Sequence, residues 1–168
     1  MQSPLNFKEM GSGQPLIILH GLFGSARNWR RIGDTLKSHW RVVLPDLPNH
    51  GNSPWSDDMS YPAQAEALKN FIVLRDLANP VIVGHSMGGK VAMALALSGQ
   101  CLINRLVIVD IAPVSYQHSH FELIQAMRTL PLAQISTRHD ADQLLAPAIP
   151  TSGLRQFLLQ NLIIENRQ

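Results

Sequence analysis

Gly84-His85-Ser86-Met87-Gly88 is the stretch of this 168-residue chain whose residue types and spacing point most directly to chemistry. The pattern is G-x-S-x-G. A short apolar run, Val81–Val83, precedes it, and a helical pattern, Met87–Leu97, follows it. A serine on such a sharp strand-to-helix turn is forced into a strained backbone that lifts its Oγ above a sheet. Gly84 and Gly88 are required because side chains there would meet neighbouring backbone. The helix that follows aims its first amides at a developing oxyanion. The plain alternative is a glycine-rich turn that merely contains serine. The strand before it and the helix after it favour a nucleophile.

Two further segments belong with Ser86. His20-Gly21-Leu22-Phe23-Gly24 ends the run Pro15–Leu19. In a nucleophile-elbow protein one oxyanion donor comes from this loop and another from the residue after the serine. The donors are therefore expected at Leu22 and Met87, with Phe23 as a further candidate and Gly21 giving the loop room. Alone, a His-Gly dipeptide is an ordinary strand exit; with the elbow downstream it gains meaning. Asp110 ends the run Leu106–Val109. Parallel strands share their carboxyl ends, so Asp110 stands on the edge that carries Ser86 and is placed to orient a histidine. Its plain alternative is a helix cap or a structural acid. Asp46 also ends a strand, but its PDLPNHG setting reads as loop structure.

The general base is the difficulty. A serine nucleophile needs an imidazole to take its proton. The seven histidines are His20, His39, His50, His85, His118, His120 and His139. The chain order in this kind of site is serine, acid, histidine. Only His118, His120 and His139 follow Asp110, and none follows a late strand. The base is therefore expected to be absent from this chain, unless one of those three substitutes. His118-Ser119-His120 has no carboxylate spacing that would make it a metal pair, and it reads as a solvated loop. Gly84–Val91 also approaches the phosphate-binding G-x-x-x-x-G-K-[ST] pattern. Val91 stands where the metal-binding hydroxyl should be, so nucleotide binding falls well behind.

The elements that must position these residues alternate. Pro15–Leu19, Arg41–Leu44, Val81–Val83 and Leu106–Val109 read as strands. Asn28–Ser38, a segment opened by Ser60 as N-cap, and Met87–Leu97 read as helices. Trp29, Ile32 and Leu36 recur at helical spacing in the first, and Leu68, Phe71, Ile72 and Leu74 mark the buried face of the second. Alternation predicts an α/β, doubly wound, mainly parallel sheet. After Pro113 the rhythm changes: Phe121–Leu130, Ala141–Leu145 and Leu154–Ile164 look helical and no strand follows. Residues 1–113 are expected to form the core and 114–168 a helical cap.

Composition removes whole classes of function. Fourteen Lys and Arg against twelve Asp and Glu give a net charge of +2, too little to mark a nucleic-acid binder. Charged residues at 15% with 45% hydrophobic exclude disorder. The single cysteine, Cys101, excludes a disulfide framework and a paired-cysteine zinc site. No apolar stretch reaches the length of a membrane span, and the polar MQSPLNFKEM start has no signal-like apolar region. A cytoplasmic protein with no metal or organic cofactor is expected.

HGLFGSARNW, DLPNHGNSP, MSYPAQAEAL, GHSMGGKVAMALAL, VDIAPVSY and QFLLQNL together resemble the α/β-hydrolase superfamily, and more closely the YbfF-like bacterial esterases. The likeness runs over nearly the whole chain in consistent order. It implies hydrolysis of carboxylic esters or of short acyl thioesters such as acyl-CoA. It implies Ser86 as nucleophile, Asp110 as acid, amides near Leu22 and Met87 as oxyanion donors, and a helical cap. In such families further strands and the catalytic histidine follow the cap. The expectation is thus a fragment or a truncated product, with an inert ligand-binding chain as the alternative to a hydrolase. Leu106–Val109 would then be an open sheet edge, which invites self-association.

Overall fold

The computed structural model describes residues 5–116 and 119–164. The chain divides into two compact units, Met1–Val114 and Ser115–Gln168. The first holds a five-stranded sheet. Its strands are β1 (Phe7–Met10), β2 (Pro15–Leu19), β3 (Arg41–Pro45), β4 (Val81–His85) and β5 (Arg105–Val109), in the order β1-β3-β2-β4-β5. β2, β3, β4 and β5 pair in parallel, whereas β1 runs antiparallel along β3.

Helices α1 (Ala26–Leu36), α2 (Tyr61–Leu74) and α3 (Met87–Ser98) connect the parallel strands. Successive strand side chains point to opposite faces, and two apolar clusters result. Ile17, Leu19, Val43 and Ile82 pack with Leu68, Phe71, Val91 and Leu95 of α2 and α3. Leu16, Ile18, Val42 and Leu44 pack on the other face with Ala26, Trp29 and Leu36 of α1. The central strands are apolar without alternation because both of their faces are covered.

One expected core position is not core: Leu74, read on the buried face of the second helix, is 65% exposed, while Ile32 of α1 is 47% exposed. The buried face of α1 runs through Ala26 and Gly33, with Trp29 and Leu36 beside it, so Ile32 falls off the stripe. Gly33 sits so near Met10 that a Cβ there would come within 2.9 Å of its sulfur. In α2 the buried set is Gln64, Ala65, Ala67, Leu68, Phe71 and Ile72, and Leu74 lies one step beyond it. Ser60 does cap α2, accepting a 3.3 Å hydrogen bond from the Ala63 amide.

Among the described residues β5 pairs with β4 alone, and Val107 at its centre is 46% exposed.

The second unit is helical: α4 (Phe121–Arg128), α5 (Arg138–Leu145) and α6 (Ser152–Leu159), with a 3₁₀ turn at Leu132–Gln134. Thr137 caps α5, accepting from the Asp140 amide at 3.1 Å. Arg155 of α6 makes a two-pronged pair with Asp142 of α5 at 2.8 and 3.1 Å. No helix of the described residues is long and apolar enough to cross a membrane.

Candidate functional site

Ser86 stands alone between the last residue of β4 and the first of α3, with φ +50 and ψ −114. A non-glycine residue there is strained, and such strain persists only where the surroundings over-determine it. Two contacts do so. The Ser86 amide donates to the Val109 carbonyl at 3.0 Å, extending the β4–β5 ladder through the bend. The Ser86 carbonyl accepts from the Gly89 and Lys90 amides at 2.9 and 3.2 Å, starting the helix.

The glycines allow the helix to approach. A Cβ at Gly84 would lie 2.6 Å from the Gly88 carbonyl oxygen. A Cβ at Gly88 would lie 2.6 Å from the His20 carbonyl oxygen. Gly89, which sequence reasoning did not single out, is as tight: its Cβ would meet Ile111 at 2.6 Å. At Gly21 a Cβ would approach His85 Nδ1 at 2.9 Å and the Ser86 Cβ at 3.4 Å. The loop after β2 therefore passes directly beside the serine.

That loop carries Leu22 and Phe23, both partly buried. It turns through a 3.0 Å hydrogen bond from the Gly24 amide to the Gly21 carbonyl, and Phe23 takes φ +63. Met87 is the first residue of α3, so its amide is among the four that an α-helix leaves without an intrahelical partner.

Asp110 follows β5 with φ +56. Its side chain is 84% exposed, and its Oδ2 lies 3.7 Å from His85 Nε2. That is an ion-pair distance and too long for a hydrogen bond. The His85 ring also packs edge-on to Trp29 of α1, with centroids 6.1 Å apart. His85 was not picked out from the sequence, because neighbours on a strand point to opposite faces. Only the register His85↔Val109 puts it beside the acid.

The other histidines are held elsewhere. His120 and His139 are exposed residues of the second unit, and His118 lies outside the described residues. Among the described residues no three His, Cys, Asp or Glu side chains gather as a metal-binding set.

The alpha/beta hydrolase fold family matches residues 14–136, a span that includes Ser86, the Leu22 loop and Asp110. The chain belongs to that family. It is 40% identical over 162 residues to an sn-1-specific diacylglycerol lipase of Xenopus laevis, covering 92% of this chain and 52% of the relative. It is 33% identical over 153 residues to esterase YbfF of Escherichia coli, covering 90% of this chain and 60% of the relative. A solved marine microorganism esterase superposes with a TM-score of 0.92 at 40% identity, over 97% of this chain and 65% of that one. The chain spans about half the length of the curated relatives it matches.

Next to the loop that follows β2, this hydrolase-family chain buries a polar cluster. His20 and Asp46 are nearly inaccessible, and His50 and Ser53 are buried beside them. His20 Nδ1 donates to the Gly21 carbonyl at 2.8 Å, and its Nε2 accepts from the Leu47 amide at 3.0 Å. The ring is thus fixed as the neutral tautomer protonated on Nδ1. Burial pushes its pKa down to about 4, outweighing the bond to Gly21 and the charge of Asp46. Burial also lowers His50, whose ring lies 5.1 Å from that of His20.

A pH prediction follows. Between pH 6.5 and about 4 the unfolded chain protonates His20 and the folded chain does not. The unfolded state binds more protons there, so stability falls as the pH drops through that window. His20 alone should remove about 2 kcal/mol between pH 7 and pH 5. Urea unfolding at the two pH values checks this, because His20→Gln cannot titrate and should flatten the slope by that amount. Equal slopes in the two proteins would show that His20 is not the titrating group.

Proposed function

We propose that this chain carries the nucleophile, acid and oxyanion donors of a serine hydrolase acting on carboxylic esters or short acyl thioesters. One observation carries the reading: a strained serine, φ +50, at a strand-to-helix bend whose flanking glycines bring helix α3 within contact of β2 and β4. The esterase and lipase names of the relatives support the substrate class.

Ser86 Oγ attacks the acyl carbon. The carbonyl π pair moves onto oxygen, and the amides of Met87 and of Leu22 or Phe23 stabilise that oxyanion. The tetrahedral species collapses, the alkoxide or thiolate leaves with a proton, and an acyl-Ser86 ester remains. Water repeats the attack and releases the acid. Asp110 is assigned the part of the acid that orients a proton-accepting imidazole.

That imidazole is assigned to none of the seven histidines. Both ring nitrogens of His20 are already engaged. His50 Nδ1 is bonded to the Pro48 carbonyl at 2.9 Å. His85 comes before Ser86 in the chain rather than after the acid, its Nε2 lies 3.7 Å from Asp110 Oδ2, and its ring packs edge-on to Trp29.

The test is chemical rescue. Hydrolysis of short p-nitrophenyl esters and of a short acyl thioester is measured above the background of Ser86→Ala. The expected result is weak Ser86-dependent turnover that rises and saturates with added imidazole. Turnover identical in wild type and Ser86→Ala, with and without imidazole, overturns the reading and leaves an inert binding chain.

A further inference from the structure

We propose that Asp46 is the positioning residue of the oxyanion loop, holding it through a buried carboxylate that spans its far end. The functional part of this inference rests on the hydrolase reading of the Leu22 and Phe23 amides; the structural part does not.

Asp46 follows β3, on the same sheet edge as Ser86, yet it is 3% exposed. Its Oδ1 accepts the Ala26 amide at 2.7 Å. Its Oδ2 accepts the Asn6 side-chain amide at 2.7 Å and the Asn52 amide at 3.0 Å. No cation is paired with it among the described residues. A buried carboxylate of this kind is costly unless fully hydrogen-bonded. Here three N–H donors and the amino end of α1 stabilise the charge.

The bond to Ala26 connects it to the loop. Residues 20–25 leave β2 at His20 and enter α1 at Ala26. His20 is tied to the Leu47 amide, and Ala26 is tied to the Asp46 carboxylate. Both ends of the six-residue loop are thus fastened to two consecutive residues, Asp46 and Leu47. Between them lies Phe23 at φ +63, a conformation that needs outside support. The Ser25 amide is bonded to Asn28 Oδ1 at 2.8 Å, so the exit end moves with α1 as one piece.

An asparagine could not replace the acid. Three donors converge on two oxygens, and Asn supplies one oxygen and one further donor. Gly51 belongs to the same device: at φ +54 it faces the Asp46 carboxylate, and a Cβ there would collide with it. Gly51→Ala therefore displaces the carboxylate without removing it.

The experiment is amide hydrogen exchange of the full chain near neutral pH, read over residues 21–26, in wild type, Asp46→Asn, Gly51→Ala and Ile72→Val. Ile72 is a buried core residue of α2, so shortening it destabilises the chain while leaving the carboxylate and its donors intact. The expected result is exchange of the loop and Ala26 amides about ten-fold faster or more in Asp46→Asn and Gly51→Ala, with the β4 amides unchanged and the loop of Ile72→Val close to wild type. The rate at which an organophosphonate captures Ser86 should fall roughly ten- to a hundred-fold in the first two variants only, as a misplacement of about 1 Å implies. Unchanged loop exchange overturns the proposal. So does equal loosening in Ile72→Val, which would mark general destabilisation, or a loosened loop with an undiminished capture rate. If Asp46→Asn does not fold, Gly51→Ala decides. A wild type that never captures the probe refutes the hydrolase reading, while loop exchange still decides whether Asp46 holds the loop.

Discussion

Treated with an alkyl p-nitrophenyl phosphonate, the chain is expected to gain the mass of one phosphonyl group, and Ser86→Ala is expected to gain none. The Ser86 Oγ–P bond forms, the P–O bond to p-nitrophenolate breaks, and the hydroxyl proton passes to solvent or added imidazole. The rate should exceed that of an ordinary serine because the developing charge on phosphorus-bound oxygen meets fixed amides. In enzymes of this type, oxyanion donors and binding alone retain roughly 10³-fold acceleration after the acid–base groups are removed. A label of equal stoichiometry on Ser86→Ala would place reactivity on another side chain. A wild type that stays unlabelled with imidazole present would show that the bend at position 86 does not activate its hydroxyl.

Gly84→Ala is expected to cost the most in stability. The added carbon would lie 2.6 Å from the Gly88 oxygen, 2.7 Å from the Gly89 Cα and 2.8 Å from the Gly88 carbonyl carbon. All three are backbone, so no side-chain rotation can relieve them. Helix α3 must move off β4, carrying Met87 and the register of Ser86 with it. Overpacking of this kind costs about 1–3 kcal/mol, and the upper end is expected because nothing flexible yields. Gly153→Ala is the matched comparison. It has open space around it and lies in α6, where alanine is the better helix former by roughly 1 kcal/mol. Urea midpoints should move in opposite directions for the two variants. A Gly84→Ala midpoint equal to wild type would contradict the packing described for the bend.

How much of this was legible in the sequence depends on how local the cause is. β2, β3 and β4 show as unbroken apolar runs because strands covered on both faces need no polar side. β1 does not show. FKEM alternates weakly over four residues, and its place comes only from pairing Phe7–Met10 against Pro45–Val42 of β3. Leu74 misled because it is large, apolar and near the right spacing, while small Ala65 and Ala67 belong to the stripe that packs. The α/β class and the hydrolase family were readable from the strand–turn–helix order around Gly84–Gly88, a contiguous signal. The polar cluster beneath the loop was not. Asp46 reads as an ordinary loop acid until Asn6, Ala26 and Asn52, from three separate segments, are seen to converge on it.

Each of the four parallel strands is followed, within four residues, by a non-glycine residue of positive φ: Phe23 after β2, Asn49 after β3, Ser86 after β4 and Asp110 after β5. For the last two, one ladder sets both positions, since Gly84 faces Ile108, His85 faces Val109, and the Ser86 amide continues onto Val109. Ser86 and Asp110 are therefore spaced like adjacent teeth of a zip. Lengthening or shortening the 99–104 connection changes neither tooth, whereas slipping the zip by a single notch separates both at once. Variation in such a scaffold is thereby channelled into its connections, leaving the pairing of two short strands as the part that must be inherited whole.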